Sequence, residues 1–161
     1  MGYPIVDLGT RPDVLGHLRR IEEVIIRAAA DIGVTLGRDD EATGVWSGAG
    51  KVCAIGVKLI RARVTLHGFA LNCATDLSWF DAIVPCGLAG RGVASLSQLA
   101  SRSVTVEEMT PVVTARFEEV FAVRFDAVSR SLPIPVGSPG STMPDLASTA
   151  PSGARTATPV P

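Results

Sequence analysis

The sequence has few aromatic residues and no excess of charge of either sign. Aromatic residues make up 5 % of the 161 residues, so a buried core would consist mainly of Ala, Val, Leu and Ile. The 15 Lys and Arg residues nearly balance the 16 Asp and Glu residues, and the formal net charge is −1. Nucleic-acid-binding domains usually carry a basic excess. The composition therefore argues against a dedicated nucleic-acid-binding protein.

A long uninterrupted apolar segment is also missing. A membrane-spanning helix needs about 20 consecutive apolar residues, and every apolar stretch here is interrupted early by a charged residue or glycine. The N-terminal residues Met1–Asp7 have neither the basic start nor the apolar run of a secretion signal. We therefore expect no membrane association.

Cysteine and histidine are scarce as well. The three cysteines, Cys53, Cys73 and Cys86, form no CxxC pair, which disfavours a disulfide framework or a structural zinc site and favours a reducing cytoplasm. With only His17 and His67, a Ser-His-Asp triad or a metal centre has little support. We expect no metal, and we expect His17 to lie on the surface of its helix.

The segment from Gly44 to Lys51 invites comparison with a phosphate-binding loop. Such a loop has a glycine five positions before its Gly-Lys pair and a Ser or Thr after the lysine. Here Val45 occupies the first position and Val52 the second. The residue types do not match, and we expect no nucleotide-binding loop.

The chain divides into a folded region, residues 1–130, and a tail, residues 131–161. The tail is rich in Pro, Ser, Thr, Ala and Gly, which predicts disorder. In the folded region, apolar spacing predicts an amphipathic helix from Asp13 to Ile32 and a hairpin of Val52–Leu59 with Val64–Cys73. Further strands are predicted at Tyr3–Leu8, Thr43–Trp46 and Ile83–Val84, a helical turn after Asp76, and helices at Ser95–Ser101 and from Thr105 to about Phe121.

The last of these helices contains a proline. Thr105 and Glu108 fit a capping box, and Pro111 follows inside the helix. A proline in a helix interior removes a hydrogen bond, so we expect a kink there or a start at Thr110. Together the elements predict a mixed α+β domain.

Cys86 and Lys51 are the candidates for chemistry. Cys86 follows an apolar strand and lies between Pro85 and Gly87, at a bend where backbone amides can approach a ligand. An ammonium group beside a thiol favours the thiolate, and Lys51 is the possible partner. Two ordinary interpretations stay open at this point: a small buried hydrophobic cysteine and a lysine facing water. The interpretation as a small buried hydrophobic side chain is stronger still for Cys53 and Cys73, which lie within β runs.

Several short segments together resemble the lipoyl(octanoyl) transferase family. The similarity covers about residues 2 to 100, and the order and spacing of the segments make it specific. The matching segments are Tyr3–Ile5, Gly44–Trp46, Lys51–Gly56, His67–Asn72, Asp76–Leu77 with Phe80, and Pro85–Gly87.

The resemblance implies a biotin/lipoate protein ligase-like α+β fold, a mixed sheet with flanking helices. It implies transfer of an octanoyl group from octanoyl-acyl carrier protein to a lysine of lipoyl domains, in 2-oxoacid dehydrogenase complexes and the glycine cleavage H protein, without a cofactor. Cys86 would be the acyl-thioester nucleophile, and Lys51 would lower its pKa and act as general acid/base. The residues that would line the acyl site are Ala54, Ile55, Gly56, Gly68, Phe69 and Ala70.

Two features depart from the family pattern. The family has an upstream half with Arg-Gly-Gly and His-Gly-Pro-Gly segments, so we expect residues 1–130 to form the C-terminal portion of an N-terminally truncated catalytic domain. The hairpin bend Leu59–Arg63 is one residue longer than usual. Two alternatives stay open: a non-catalytic module that binds carrier or lipoyl domains through Lys58, Arg61 and Arg63, and a cysteine-dependent amidotransferase or hydrolase.

Overall fold

A computed structural model describes residues 1–82 and 91–125, which form an α+β arrangement. Three antiparallel strands in the order β1-β2-β3 make the sheet. The strands span Val45–Ser47, Gly50–Ile60 and Val64–Leu71, and the helices α1, α2 and α3 span Val14–Asp31, Leu96–Ala100 and Val106–Phe121. A 3-10 helix, Leu77–Ala82, follows β3, and the Asp76 carboxylate accepts a hydrogen bond from the Ser78 backbone N–H, as the sequence predicts.

Helix α1 packs on the sheet and on α3. It begins after Asp13, whose carboxylate accepts a 2.8 Å hydrogen bond from the backbone N–H of Gly16, a common way to satisfy a first-turn donor. Its apolar face buries Ile21, Val24 and Ile25 completely. The predicted helix is confirmed, because its apolar spacing and its cap are both encoded locally.

His17, on the same helix, is not the surface residue that we expected. Its exposed fraction is 3 %, and its ring packs edge-to-face on Phe121 with centroids 5.6 Å apart. Within the described residues neither ring nitrogen has a hydrogen-bond partner. Burial lowers the pKa of His17, with a smaller contribution from the nearby charge of Arg20.

The β2–β3 hairpin is confirmed and has a continuous register. Cys53 pairs with Leu71 at one end and Ile60 with Val64 at the other. The tip turns through Arg61 and Ala62, both with φ near +50°. The hairpin therefore brings residues 54–56 directly opposite residues 68–70.

A bulge interrupts the β1–β2 pairing where Val45 faces Cys53 but Trp46 faces Lys51. One extra residue, Val52, lies on β2 at this point, and Val52 and Cys53 are both completely buried. The bulge therefore directs Lys51 away from the core, to the side of the sheet on which Trp46 lies.

The strand expected at Tyr3–Leu8 is not formed as a strand. The segment runs beside β3, with isolated bridges from Gly2 to Phe69 and from Asp7 to Val64. Between them Pro4 has no N–H to donate, and the Val6 N–H bonds to the Thr65 hydroxyl instead of a backbone carbonyl. The ladder is therefore broken in its centre.

Helix α3 begins at Val106, so the alternative start at Thr110 was wrong. The Thr105 hydroxyl accepts a hydrogen bond from the Glu108 N–H, and Met109 is buried in the first turns. Pro111 lies in the helix interior. The cap and the buried Met109 therefore outweigh the hydrogen bond lost at the proline.

Two expectations lie outside the described residues: the strand Ile83–Val84 and the disordered tail 131–161. Among the residues that the structure covers, no helix is both long and apolar enough to cross a bilayer.

Candidate active site

The backbone of Lys51 pairs with residues 92–94, shortly after residues 83–90 in the sequence. Its N–H donates to the Gly92 carbonyl over 2.9 Å, and its carbonyl accepts from the Ala94 N–H over 3.0 Å, which gives a parallel bridge with Val93. Gly50, with φ of +140°, permits this close approach, because a Cβ there would clash with the Gly92 carbonyl. The segment after residues 83–90 is thereby fixed on the backbone of Lys51.

Cys86, the expected nucleophile, lies outside the described residues, as do Pro85 and Gly87. The structure therefore describes the lysine of the predicted pair and not the thiol. In the sequence Cys86 precedes Arg91, the first described residue beyond the gap, by five positions.

The six residues expected to line an acyl site form three directly opposite pairs across the hairpin. Ala54 faces Ala70, Ile55 faces Phe69 and Gly56 faces Gly68. Because side chains alternate along a strand, the alanine and glycine pairs share one face of the sheet, and the Ile55–Phe69 pair lies on the other. The structure thus brings all six together but divides them between two faces.

The face that carries Phe69 borders an apolar groove of about 600 Å³ between the N-terminal segment and α3. Phe69, Val113, Phe117 and Phe121 line it, and the Phe69 ring lies over Gly2. Its size is within the range of small-molecule sites. Among the described residues, the opposite face is open at Gly56, where a Cβ would meet none of their atoms within 4 Å.

The Lys51 amine lies over the indole of Trp46, with Nζ 4.7 Å from the ring centroid. The Arg91 guanidinium lies over the same ring, with Cζ 4.4 Å from the centroid. Arg91 forms a two-point ion pair with Asp39 and holds the pKa of that carboxyl below its usual range. The indole N–H donates to the Ala42 carbonyl over 3.1 Å. The lysine amine therefore lies beside an aromatic ring that also carries the Asp39–Arg91 ion pair.

Glu22 supports this environment from α1. Its carboxylate is 99 % buried and accepts hydrogen bonds from Arg19 and Arg38 and a 3.3 Å bond from the Gly44 N–H. A Cβ at Gly44 would lie 2.5 Å from the Cys53 carbonyl oxygen and 3.5 Å from the Lys51 Cε. Gly44 thus leaves room for the Cys53 carbonyl and borders the lysine stem.

Sequence reasoning missed Glu22 and the contacts of Trp46, Asp39 and Arg91. The one local signal was an acidic residue three positions before Ile25, on the apolar face of the predicted helix. Isolated carboxylates are rarely buried unless they are paired. The ion pair of Asp39 with Arg91 had no local signal, because the two residues are far apart in the chain.

The two described cysteines are buried thiols whose pKa values are raised. Cys53 is completely buried, and burial, followed by the proximity of Cys73, raises its pKa to about 12. Cys73 is 5 % exposed, and burial raises its pKa as well. Both are small buried side chains, as expected for cysteines in β runs. Across residues 1–82 and 91–125 no group of three or more His, Cys, Asp or Glu residues could hold a metal ion.

Residues 1–118 match the family model described as "Lipoyl protein ligase A/B catalytic domain". The chain therefore belongs to this family, which confirms the resemblance of its motifs. Structural similarity agrees with the predicted fold. Lipoate-protein ligase A bound with ATP superimposes with a TM-score of 0.61 at 18 % identity, over 78 % of this chain and 53 % of that one. The apo biotin protein ligase of Aquifex aeolicus gives 0.59 at 13 % identity, over 74 % and 51 %.

Relatives within the family are called octanoyltransferases. That of Acidothermus cellulolyticus is 52 % identical over 124 residues, which are 74 % of this chain and 56 % of the relative. That of Mycobacterium tuberculosis (strain H37Rv) is 50 % identical over 118 residues, 71 % of this chain and 51 % of the relative. The chain thus spans about half the length of the curated relatives that it matches.

Proposed function

We propose that this chain contains the acyl-transfer centre of an octanoyltransferase, with Cys86 as nucleophile and Lys51 as general acid/base. One observation carries the proposal beyond family membership. The backbone of Lys51 is hydrogen-bonded on both sides to residues 92 and 94, which follow the Cys86 segment closely in the chain. Because residues 92 and 94 lie only six and eight positions after Cys86 in the sequence, this pairing supports Lys51 as the partner of the Cys86 thiol.

In the first step the Cys86 thiolate attacks the carbonyl carbon of octanoyl-acyl carrier protein. A C–S bond to Cys86 forms, the C–S bond to the carrier breaks, and the Lys51 ammonium gives its proton to the departing carrier thiolate. Backbone N–H groups near Cys86 would stabilise the tetrahedral oxyanion. A thioester donor is already activated, so the step needs no nucleotide.

In the second step a lysine of a lipoyl domain attacks the acyl-enzyme. The attacking amine must be neutral, and Lys51, now a free amine, accepts the proton that it loses as the amide bond forms. The C–S bond to Cys86 breaks and regenerates the thiolate. Both half-reactions thus use the same two side chains in opposite protonation states.

The hairpin pairs supply the proposed acyl site. Small side chains at Ala54 and Ala70 and the open space at Gly56 leave room for an alkyl chain beside the sheet, on the face to which Lys51 is directed. Apolar lining with few polar groups suits an octanoyl chain. Ile55 and Phe69 lie on the other face and would support the hairpin from the core side.

The proposed partners are octanoyl-acyl carrier protein and lipoyl domains, in the cytoplasm, where Cys86 stays reduced. The names of the relatives support octanoyl as the transferred group. The acceptor has support from a structural neighbour, a bi-partite lipoate protein ligase from Thermoplasma acidophilum studied with its E2 lipoyl domain, which gives a TM-score of 0.58 at 19 % identity. The similarity covers 71 % of this chain and 48 % of the neighbour's chain.

Intact-mass measurement after incubation with octanoyl-acyl carrier protein tests the proposal. We expect one octanoyl adduct on the full chain, none on Cys86→Ser, and an acylation rate lowered at least 100-fold in Lys51→Met. Cys73→Ser and Lys58→Met are the matched controls and should retain the adduct.

Other outcomes contradict the proposal and favour an alternative. Carrier binding by the folded chain without an adduct favours the non-catalytic binding module. In that module Lys58 and Arg61 would provide the basic contact, because Arg63 is already paired with Asp7. An adduct that passes to water and never to a lipoyl domain favours a hydrolase.

A further inference from the structure

Trp46 and Lys51 form a cross-strand pair whose backbone groups all point outward. The N–H and the carbonyl of Trp46 bond to Gly37 over 2.9 and 2.8 Å, while those of Lys51 bond to Gly92 and Ala94. No backbone hydrogen bond is therefore spent between the two residues. Such non-hydrogen-bonded pairs bring their side chains closest together.

The indole is a fixed surface for the lysine amine. Trp46 is 8 % exposed, and its N–H is held by the Ala42 carbonyl, so the ring has one orientation. Lys51 Nζ lies 4.7 Å from its centroid, within the distance at which a cation is attracted to an aromatic face. Gly44 borders the stem near Cδ and Cε. The four rotatable bonds of the lysine are thereby restricted.

A second cation over the same ring would repel the Lys51 ammonium group if no carboxylate balanced its charge. Arg91 is that cation, and its two-point pair with Asp39 makes the pair neutral. Asp39 precedes β1 and Arg91 lies 52 positions later in the chain, so the ion pair also joins two separate parts of the chain at Trp46. Neither residue forms a hydrogen bond with Lys51; Arg91 shares the indole with it, and Asp39 holds Arg91 by the ion pair.

We propose that Trp46, braced by the Asp39–Arg91 pair, is a positioning residue that holds the Lys51 amine for proton transfer. The inference rests on the proposed function, in which Lys51 exchanges protons with substrate. Holding a reacting group in one geometry contributes to rate without contributing to substrate binding.

Lysine-selective NMR tests the positioning directly and without activity. Lys51 and Lys58 are the only lysines in the sequence, so isotope-labelled lysine gives two side-chain signals, and exposed Lys58 is an internal reference. The indole ring current should shift the Lys51 ε-methylene protons upfield. We expect Trp46→Leu to move them to the Lys58 position and Trp46→Phe to keep part of the shift. Asp39→Asn should reduce the shift, whereas Asp7→Asn, which breaks the exposed pair with Arg63, should not.

Single-turnover acylation by octanoyl-acyl carrier protein tests the consequence. We expect Trp46→Leu to lower the rate constant at saturating donor about tenfold with KM unchanged, and Trp46→Phe to recover most of it. Asp39→Asn should lie between them. A purely structural tryptophan would lower the Tm and leave this rate constant unchanged.

Failure of the positioning inference can be distinguished from failure of the proposed function. If the wild-type chain is acylated and Trp46→Phe and Asp39→Asn match its rate and its Lys51 signal, the positioning inference is wrong and the proposed function stands. If the wild-type chain gives no adduct, the proposed function fails, and the Lys51 signal alone decides whether Trp46 orders the amine. A Lys51 signal that coincides with Lys58 in the wild-type chain overturns the inference.

Discussion

Gly68 lies directly opposite Gly56 across the β2–β3 hairpin, yet within the described part of the chain Gly56 has room for a side chain and Gly68 has none. A Cβ at Gly68 would clash with the Gly2 carbonyl oxygen and lie 2.6 Å from Pro4 Cδ. The N-terminal segment thus rests on Gly68, because no other residue type leaves the space. No described residue lies in the corresponding position at Gly56.

We therefore expect Gly68→Ala to destabilise the chain by about 1–3 kcal/mol, since a backbone carbonyl cannot move aside as a side-chain end would. Gly56→Ala should change the free energy of unfolding by less than about 0.5 kcal/mol. Urea denaturation of both variants measures the difference. Equal losses would show that the N-terminal segment does not rest on Gly68.

The thiols should separate sharply in reactivity. Because burial raises the pKa of Cys53 to about 12 and that of Cys73 in the same direction, we expect neither to react with iodoacetamide in the native chain at pH 7.5. Cys86, as the proposed nucleophile, should be alkylated first, and Cys86→Ser should remove the fast phase. In guanidinium chloride all three should react at similar rates. Native labelling of Cys53 ahead of Cys86 would contradict the proposed site.

His17 should make stability depend on pH. Its folded-state pKa is lowered from 6.5 by burial, so between the two pKa values the unfolded chain binds more protons than the folded one. The contribution of His17 to the free energy of unfolding is therefore fully present above about pH 6.5 and is lost as the pH is lowered towards the folded-state pKa. The slope is at most about 1.4 kcal/mol per pH unit for one proton.

Urea midpoints at pH 7.5 and 5.5 check this expectation. His17→Leu should flatten the dependence over this interval, and His67→Leu is the matched control at an exposed position. If both variants retain the wild-type slope, the buried histidine is not its source.

Glu22 should be important for the loop before β1. We expect Glu22→Gln to cost about 1–3 kcal/mol, because it weakens charge-assisted bonds from two arginines and leaves a buried N–H of Gly44 with a poorer acceptor. Glu23→Gln, at the adjacent and more exposed position, should cost less than about 1 kcal/mol. Thermal unfolding of the pair measures the contrast, and a reversed order would contradict it.

Local sequence signals predicted the elements that depend on local interactions. Asp13 and Thr105 cap helices, and the apolar spacing after Asp13 gives α1 its buried face. The N-terminal strand failed because its ladder depends on Thr65, whose hydroxyl competes for the Val6 N–H from far along the chain. The expected surface position of His17 was wrong for a similar reason, since Phe121 of α3 covers the ring.

The candidate site divides in the same way. Lys51 and the paired lining residues follow from contiguous motifs, and the hairpin register places those residues opposite one another. The residues around the lysine come from separate segments. Glu22 lies in α1, Asp39 lies between α1 and β1, and Arg91 lies between β3 and α2 in the chain. Contacts between such distant residues leave no periodicity or spacing to detect in one sequence.

The two hydrogen bonds from the backbone of Lys51 have a practical consequence. They fix its Cα whatever side chain is attached, so truncation to alanine leaves an empty slot bounded by the Trp46 ring and Gly44. A small primary amine added to the solution has the size and charge to enter that slot. In the Lys51→Ala variant an added amine can therefore take the place of the lysine side chain. The basicity of the proton-transfer group is then varied by the choice of amine, with no further change to the protein.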